Sequence, residues 1–348
     1  MVSTSDFYAC PVNSKNIRFL PALINGQAKH HHSKFIGTTS KLRQDFLKAA
    51  QPTANIQLIY HRKMGLNPIG YMAFNETITE NGAGLYLEDI FVQDHVRQHV
   101  RGAGSYGFHQ LIDTALKGQM SFVQWAVAMN NEPATFYFYE NKIGANRLDK
   151  ELYDIDHVLQ NGMTPVLELI NTHFTVKRAD KSDLRALRAS IDSYNNHSRH
   201  PLSVTTDDLI DRIKDAITHH NADVYICRDD RGGIKALNFI NSNYSTFRTV
   251  TGIKAEPMIA LTDDALEYQQ ALWAIMHEVR EDAHSTDRTG HLVWTIKSTD
   301  SLGHRLMNTQ NAEILQMEAH NIASTLVMYG IKDQNISTSK RDSLIPKP

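Results

Sequence analysis

Residues 85–117 decide the fold. They open with the β-prone run Leu85-Tyr-Leu-Glu-Asp-Ile-Phe-Val92, continue through His99-Val-Arg-Gly-Ala-Gly104, and close with an amphipathic segment over residues 105–117. The apolar residues of that last segment recur at helical spacing: Phe108, Leu111, Ile112, Ala115 and Leu116. This order predicts a central strand, a glycine-bearing turn and a helix that packs on the strand.

A strand that leads through a glycine-bearing turn into a helix forms a binding site for an anion. Glycine lets the backbone approach a ligand closely, and the free N–H groups of the first helical turn face a phosphate together with the helix dipole. Arg97 and Arg101 lie beside the turn and add candidate donors. The turn matches neither the Walker loop nor the dinucleotide-binding glycine pattern, so those nucleotide folds are not indicated.

Strands and a further helix surround this unit. Residues 56–61 and 69–74 are predicted strands, and residues 122–129 form a buried one. The segment Asn131-Glu-Pro-Ala134 has Asn as a helix cap and Pro in the first turn, so it predicts a helix that ends near Gly144.

Taken together, these segments resemble the GCN5-related N-acetyltransferase family, and within it the diamine (spermidine/spermine-type) acetyltransferases. The residues that carry the resemblance are Leu87-Glu-Asp-Ile-Phe-Val92, the glycine turn, Asn131-Glu-Pro-Ala134, Phe138-Tyr139 and Gly144-Ala145. The resemblance implies an α/β fold with a mixed sheet, of the acyl-CoA N-acyltransferase type. It also implies that acetyl-CoA is the acetyl donor and that the reaction needs no metal.

The chemistry of amide formation, read with the resemblance, assigns roles to residues. An alkyl amine with a pKa of about 10.4 must lose a proton before it attacks a thioester, and Glu88 is the candidate base. The departing thiolate needs a proton from a tyrosine, either Tyr139 after Phe138 or Tyr137 after Phe136. Backbone N–H groups around Phe91 and Val92 are candidates for holding the thioester oxygen. The expected donor-binding residues are Phe91, Val92, His99, Val100, Arg101, Gly102, Ala103, Gly104, Ser105 and Asn131.

The second half of the chain repeats the order of the first half. The predicted strands cover residues 174–178, 224–227, 236–240, 258–261 and 291–296, and the predicted helices cover 180–191, 207–217, 266–279 and 301–311. The segment Thr262-Asp-Asp-Ala265 stands where the glycine turn would be, and its two carboxylates would repel phosphate. Met307 falls where the proton-donating tyrosine would be. We therefore expect a degenerate second copy that serves packing, acceptor recognition or dimerisation; the alternative is an unrelated α/β domain.

Composition bounds the remaining possibilities. The 348 residues carry 36 Lys and Arg against 38 Asp and Glu, a net charge of −2, which argues against a nucleic-acid binder and a polybasic membrane anchor. The two cysteines, Cys10 and Cys227, are far apart and predict no disulfide framework. Neither a signal-peptide core nor a membrane-spanning apolar run is found, so a cytoplasmic protein is expected. The histidines at positions 30–32 are expected in an exposed loop.

The sequence thus predicts two tandem domains, residues 1–172 and 173–331, and a flexible tail over 332–348. The expected reaction is transfer of acetyl from acetyl-CoA to a primary amine, by direct attack, on a small molecule such as a polyamine. The alternatives are a protein or peptide N-acetyltransferase and a non-catalytic acyl-CoA-binding or interaction module. The expected partner is a small-molecule amine, without nucleic acid or membrane, and the resemblance adds a homodimer.

Overall fold

The computed structural model describes residues 6–30, 38–48, 54–128, 133–154, 173–219, 222–246, 250–285, 292–297, 299–300 and 325–332. The strands are β1 (Phe7–Pro11), β2 (Asn55–His61), β3 (Gly70–Thr79), β4 (Gly82–Val92), β5 (Phe122–Ala128), β6 (Asn146–Asp154), β7 (Thr175–Arg178), β8 (Ala222–Arg228), β9 (Ile234–Ser245), β10 (Val250–Ala255), β11 (Ile259–Ala260), β12 (Leu292–Lys297) and β13 (Thr325–Lys332). The helices are α1 (Leu20–His30), α2 (Thr39–Arg43), α3 (Asp94–His99), α4 (Ala103–Lys117), α5 (Pro133–Tyr137), α6 (Leu184–His197), α7 (Thr206–His219) and α8 (Ala265–Ser285).

Within this part of the chain, all strands belong to one mixed sheet. Its order is β1-β2-β3-β4-β5-β13-β6-β12-β10-β9-β8-β7, with β11 paired to β9. The pairs β4–β5 and β10–β12 are parallel, one in each half of the chain. Helices pack on the sheet, so the predicted mixed α/β class is confirmed.

The predicted central unit forms as expected. Helix α4 places Phe108 and Leu111 on β4 and β5, where they contact Leu87 and Trp125. Phe108 is 1% exposed, and burying such a side chain contributes about 1.5–3 kcal/mol. Gly107 allows the close approach, because a Cβ atom there would lie 2.7 Å from Cδ1 of Ile90.

Two strands at the centre of the sheet are exchanged between the halves. Strand β13, close to the end of the chain, pairs antiparallel with β5 over Leu326–Lys332 and also with β6. Strand β6, from the first half, pairs with β12 of the second half. Each half therefore pairs with backbone from the other, and the division at residues 172 and 173 stays a prediction.

Several sequence predictions lie outside the described residues. They are the helix 301–311 with Met307, the segment 155–172 that links the halves, the tail beyond Lys332, Asn131, and the histidines at 31 and 32. None of the helices in the described part of the chain is both long and apolar enough to cross a bilayer.

Candidate functional site

Strands β4 and β5 separate near their carboxyl ends. They pair in parallel from Gly84 with Phe122 to Leu87 with Trp125, and the pairing ends there. Both strands continue, β4 to Val92 and β5 to Ala128. The region beyond Leu87 and Trp125, where the two strands are no longer paired with each other, is called here the β4–β5 gap.

Glu88 lies at the point where this gap begins. Ala73 pairs with Asp89 and Phe74 pairs with Leu87, so Glu88 is the extra residue of a β-bulge. The half-buried Glu88 side chain accepts a hydrogen bond from Nδ2 of the buried Asn75 at 2.8 Å. Asn75 pairs with Tyr86, on the sheet face away from α4, so the carboxylate points to that face. A bulge beside an opening is a common way to aim a side chain into a site.

The last residues of β4 present backbone donors to the gap. The N–H of Gln93 donates to the carbonyl of Ile69 at 2.9 Å, and Phe91 pairs with Tyr71. In an antiparallel ladder the bonding direction alternates, so the N–H of Val92 points away from β3 and toward the gap. Of the two residues proposed from the sequence to hold an oxyanion, Val92 is thus the better placed. Phe91 instead packs its ring against α1.

The Arg97 side chain contacts the protein itself and does not extend beside the glycine turn as a further donor to an anion. Its Nε donates to the carbonyl of Val92 at 2.6 Å, and its guanidinium lies 5.4 Å from the Phe91 ring centroid. It therefore fixes α3 to the end of β4. The exposed Arg101 remains as the basic side chain beside the turn.

The glycine turn leads into an open helix start. Gly102 has φ of +94°, a conformation that favours glycine, and it caps α4 without a side-chain hydrogen bond. The first intrahelical bond runs from the N–H of Tyr106 to the carbonyl of Gly102 at 2.8 Å. The N–H groups of Ala103, Gly104 and Ser105 precede it, and these are the donors that an anion would use.

The rest of the predicted turn is spread over a short helix. His99 is exposed at the last position of α3, and Val100 packs beside the buried Ala103. Helix α3 therefore occupies most of the connection between β4 and α4. His99 and Val100 lie at the edge of the site rather than at the start of α4.

The two candidate tyrosines have different surroundings. The ring centroid of Tyr139 lies 5.3 Å from that of Trp125 and 5.6 Å from that of Phe108, so it lies where the gap opens, on the α4 face. Tyr137 is 57% exposed. Tyr137 is the last residue of α5, and Tyr139 lies in the wider π-helical turn Phe138–Ile143 that follows. Asn131, just before them, lies outside the described residues.

Asp89 connects three parts of the molecule. Its carboxylate accepts from the side-chain amide of Gln27 in α1 and from the hydroxyl of Thr246 in the second half, and Tyr71 donates to Gln27. Burial, followed by the charge of Asp89, holds the pKa of Tyr71 well above its usual value, so Tyr71 remains a donor. No sequence spacing predicts these partners, because Thr246 is 157 positions from Asp89.

The second half repeats the bulge with a different outcome. Ala255 is the last residue of β10 that pairs with β12, as Leu87 is the last residue of β4 that pairs with β5. Ala255 pairs with Ile240 and Ile259 with Leu237, so residues 256–258 lie opposite only two residues of β9. Glu256 lies there, fully buried, and Lys254 binds it. The ammonium of Lys254 also lies 4.7 Å from the ring centroid of Tyr86. The counterpart of the candidate base is therefore held in a buried ion pair that the sequence did not indicate.

The helix that follows in the second half is already capped. The N–H groups of Leu266 and Glu267 donate to Oδ1 of Asp264 at 2.8 and 2.9 Å. Asp263 accepts from the hydroxyl of Ser198 at 2.7 Å and from the N–H of Arg199 at 3.1 Å. The Asp264 side chain thus occupies two donors of the kind that stay open at the start of α4, and the Asp263 carboxylate adds negative charge beside them, so α8 offers phosphate no equivalent position.

The chain is similar in fold to several solved structures. A tandem GNAT protein from the clavulanic acid biosynthesis pathway aligns over 94% of this chain and 98% of its own, with a TM-score of 0.50 and 10% identity. A GCN5-related N-acetyltransferase from Sphaerobacter thermophilus aligns over 95% and 97%, with a TM-score of 0.50 and 9% identity. A glucosamine N-acetyltransferase region of a fungal multi-domain β-N-acetylglucosaminidase aligns over 93% of this chain and 38% of that one, with a TM-score of 0.50 and 9% identity.

These likenesses establish the fold, which is that of the acyl-CoA N-acyltransferases. More particularly, it is the tandem arrangement of two such domains in one chain. No protein-family model matches the sequence, and no curated protein matches it either.

Proposed function

We propose that this protein transfers an acetyl group from acetyl-CoA to a primary amine, with the first half carrying the reaction. The observation that supports this best is the β4–β5 gap with the open start of α4 on one side and Glu88 on the other. In the second half, the matching donors and the matching carboxylate already have partners.

The open start of α4 would receive the pyrophosphate of the donor. The N–H groups of residues 103–105 supply hydrogen bonds, and the helix dipole favours negative charge there. Gly104 leaves room, since a Cβ atom at that position would have its nearest neighbour, Cζ of Phe138, at 3.8 Å. The thioester would then lie in the β4–β5 gap.

The transfer itself needs three groups. Glu88, directly or through a water, takes a proton from the ammonium form of the acceptor, and the free amine attacks the thioester carbon. The N–H of Val92 stabilises the negative charge on the carbonyl oxygen. When the C–S bond breaks, Tyr139 gives its proton to the thiolate, and the nitrogen of the new amide releases its second proton to water, from which Tyr139 is reprotonated. Tyr139 is preferred to Tyr137 because its ring lies beside Trp125, where the gap begins.

The acceptor class is proposed from the resemblance. The run Leu87-Glu-Asp-Ile-Phe-Val92 is similar to that of diamine acetyltransferases, so a small diamine or polyamine is the first acceptor to test. The cytoplasmic location and the homodimer stay predictions.

The test is release of CoA thiol by the full chain, with acetyl-CoA and a panel of primary amines that includes spermidine and 1,4-diaminobutane. We expect turnover with at least one amine, and a fall in kcat of about 10²–10⁴-fold for Glu88→Gln. Tyr139→Phe is expected to lose turnover, whereas Tyr137→Phe, the matched control, stays near wild type. Turnover that is unchanged by Glu88→Gln would contradict the proposed base, and no acetylation of any amine would contradict the reaction.

A further inference from the structure

A cavity of about 530 Å³ lies in the second half of the molecule. It occupies the space between β11 and the end of β12, beside the start of α8 and beneath the connection from α6 to α7. Glu80, from the turn between β3 and β4 of the first half, also reaches its wall. The volume suits a small organic molecule.

Phosphate and other anions are disfavoured in this cavity. Its charged lining consists of the carboxylates Glu80, Asp263, Asp264 and Asp300 and the ammonium of Lys297, with His200 at the edge. Hydrogen bonds from Ser198 and Arg199 lower the pKa of Asp263, so this carboxylate keeps its charge. The cavity is therefore a negatively charged space in which a cation is favoured over an anion.

One wall of the cavity contains a buried hydroxyl without a hydrogen-bond partner. Thr295 is fully buried, and its Oγ1 has no partner among the described residues. A buried polar group left unsatisfied destabilises the protein by about 1–3 kcal/mol, so such groups usually have a partner. A ligand that donates a hydrogen bond to Thr295 would satisfy it.

An aromatic wall completes the chemistry. Tyr194 and Tyr268 line the cavity, and the hydroxyl of Tyr268 donates to the carboxylate of Asp300. Burial, then the bond to Asp300, raises the pKa of Tyr268, so the hydroxyl stays protonated and Asp300 stays the acceptor. Carboxylates next to aromatic rings form a favourable environment for an alkylammonium group.

We propose that this cavity binds a small organic cation, an alkylammonium ion whose N–H groups donate to Asp300 and to the hydroxyl of Thr295. The site lies in the second half, apart from the β4–β5 gap. The inference goes beyond the proposed acetyl transfer and does not depend on it, because only binding is involved.

The test is calorimetric titration of the full chain with 1,4-diaminobutane, with 1,4-butanediol as the neutral analogue. We expect saturable binding of the diamine and none of the diol. Asp300→Asn is expected to weaken binding about tenfold or more, because a hydrogen bond between charged groups is lost. Glu88→Gln is the matched control: it is expected to lower the rate of acetyl transfer about 10²–10⁴-fold and to leave the Asp300-dependent binding unchanged.

Thr295→Val separates a ligand contact from a structural role. The substitution removes an unsatisfied hydroxyl at nearly constant volume, so the free protein is expected to melt at the same or a higher temperature. At the same time, the affinity for the diamine is expected to fall. Binding that is unchanged in both Asp300→Asn and Thr295→Val, equal binding of the diol, or no diamine binding would each overturn the proposal.

Discussion

Glu88 and Glu256 occupy equivalent bulges in the two halves, and their surroundings give them different chemistry. Glu88 is half-buried and accepts from Asn75, a neutral donor. Glu256 is fully buried and bound by Lys254. Burial, then the charges of Glu88 and Glu256, raises the pKa of Tyr86, so both carboxylates act on the same ring from different halves. The glutamate is therefore accessible in the first half, whereas in the second half its charge is balanced by a buried lysine.

The sequence identified the residues close together in the chain better than those brought together by folding. Glu88, Val92, Gly102 and Gly104 lie within one strand–turn–helix unit, so local pattern was sufficient to group them. Their roles stay predictions. Asn75 and Thr246 were missed: the contact of Asn75 with Glu88 depends on the register of the β3–β4 pair, and Thr246 reaches Asp89 from 157 positions away.

At this scale we expect Gly102→Ala to destabilise the protein by about 1–2 kcal/mol, because φ of +94° is unfavourable for a residue with a Cβ atom. The check is urea unfolding followed by circular dichroism. Gly104→Ala is the control and is expected to have little effect, since the added methyl group has its nearest neighbour at 3.8 Å. Equal stability of both variants would show that the turn does not require this conformation.

At the scale of elements, the two helix starts distinguish the halves. Helix α4 begins at a glycine with open donors, and α8 begins at Asp264, whose side chain already accepts from Leu266 and Glu267. The sequence predicted this difference from Thr262-Asp-Asp-Ala265, because charge at a helix start is a local property.

The sheet's central strands were not predicted. Strand β13 lies between β5 and β6, yet nothing in its own residues indicates partners in the first half. Strand pairing depends on which edges remain open in the folded chain, and that information is spread over the whole sequence.

We expect a chain that ends at residue 324 to lose cooperative unfolding and acetyl-CoA binding, although it retains the whole glycine turn. Removing β13 leaves edges of β5 and β6 without partners. Thermal melting by circular dichroism measures the first loss. A chain that ends at residue 332 keeps β13 and is the control. Cooperative melting of the shorter chain would show that the first half completes its sheet without β13.

At the scale of the whole molecule, the halves meet through buried polar groups. The side chain of Asn241 in β9 accepts from the N–H of Ile78 and donates to its carbonyl, at 2.8 and 3.0 Å. Thr77 donates to Glu256 at 3.4 Å, beside the Lys254 ion pair. Such bonds fix how the halves fit together, because a shifted arrangement would leave buried polar groups without partners.

Lys254→Met is therefore expected to destabilise the protein by about 3–5 kcal/mol, since it leaves the Glu256 carboxylate buried without its cation. The double variant Lys254→Met with Glu256→Leu is expected to recover most of this loss, because no unpaired charge remains. Guanidinium unfolding of the wild type, both single variants and the double variant measures the coupling. If the stability losses of the two single variants added up to the loss of the double variant, the two residues would not be coupled, which would contradict a buried pair.

The central claim is that the first half alone holds the donor, at the start of α4. The direct measurement is calorimetric titration of the full chain with acetyl-CoA, for the wild type, Gly104→Glu and the matched control Ala265→Glu at the start of α8. We predict one molecule bound per chain, with binding abolished by Gly104→Glu and unchanged by Ala265→Glu. Binding that survives Gly104→Glu, or that is lost with Ala265→Glu, would contradict the assignment of the donor site.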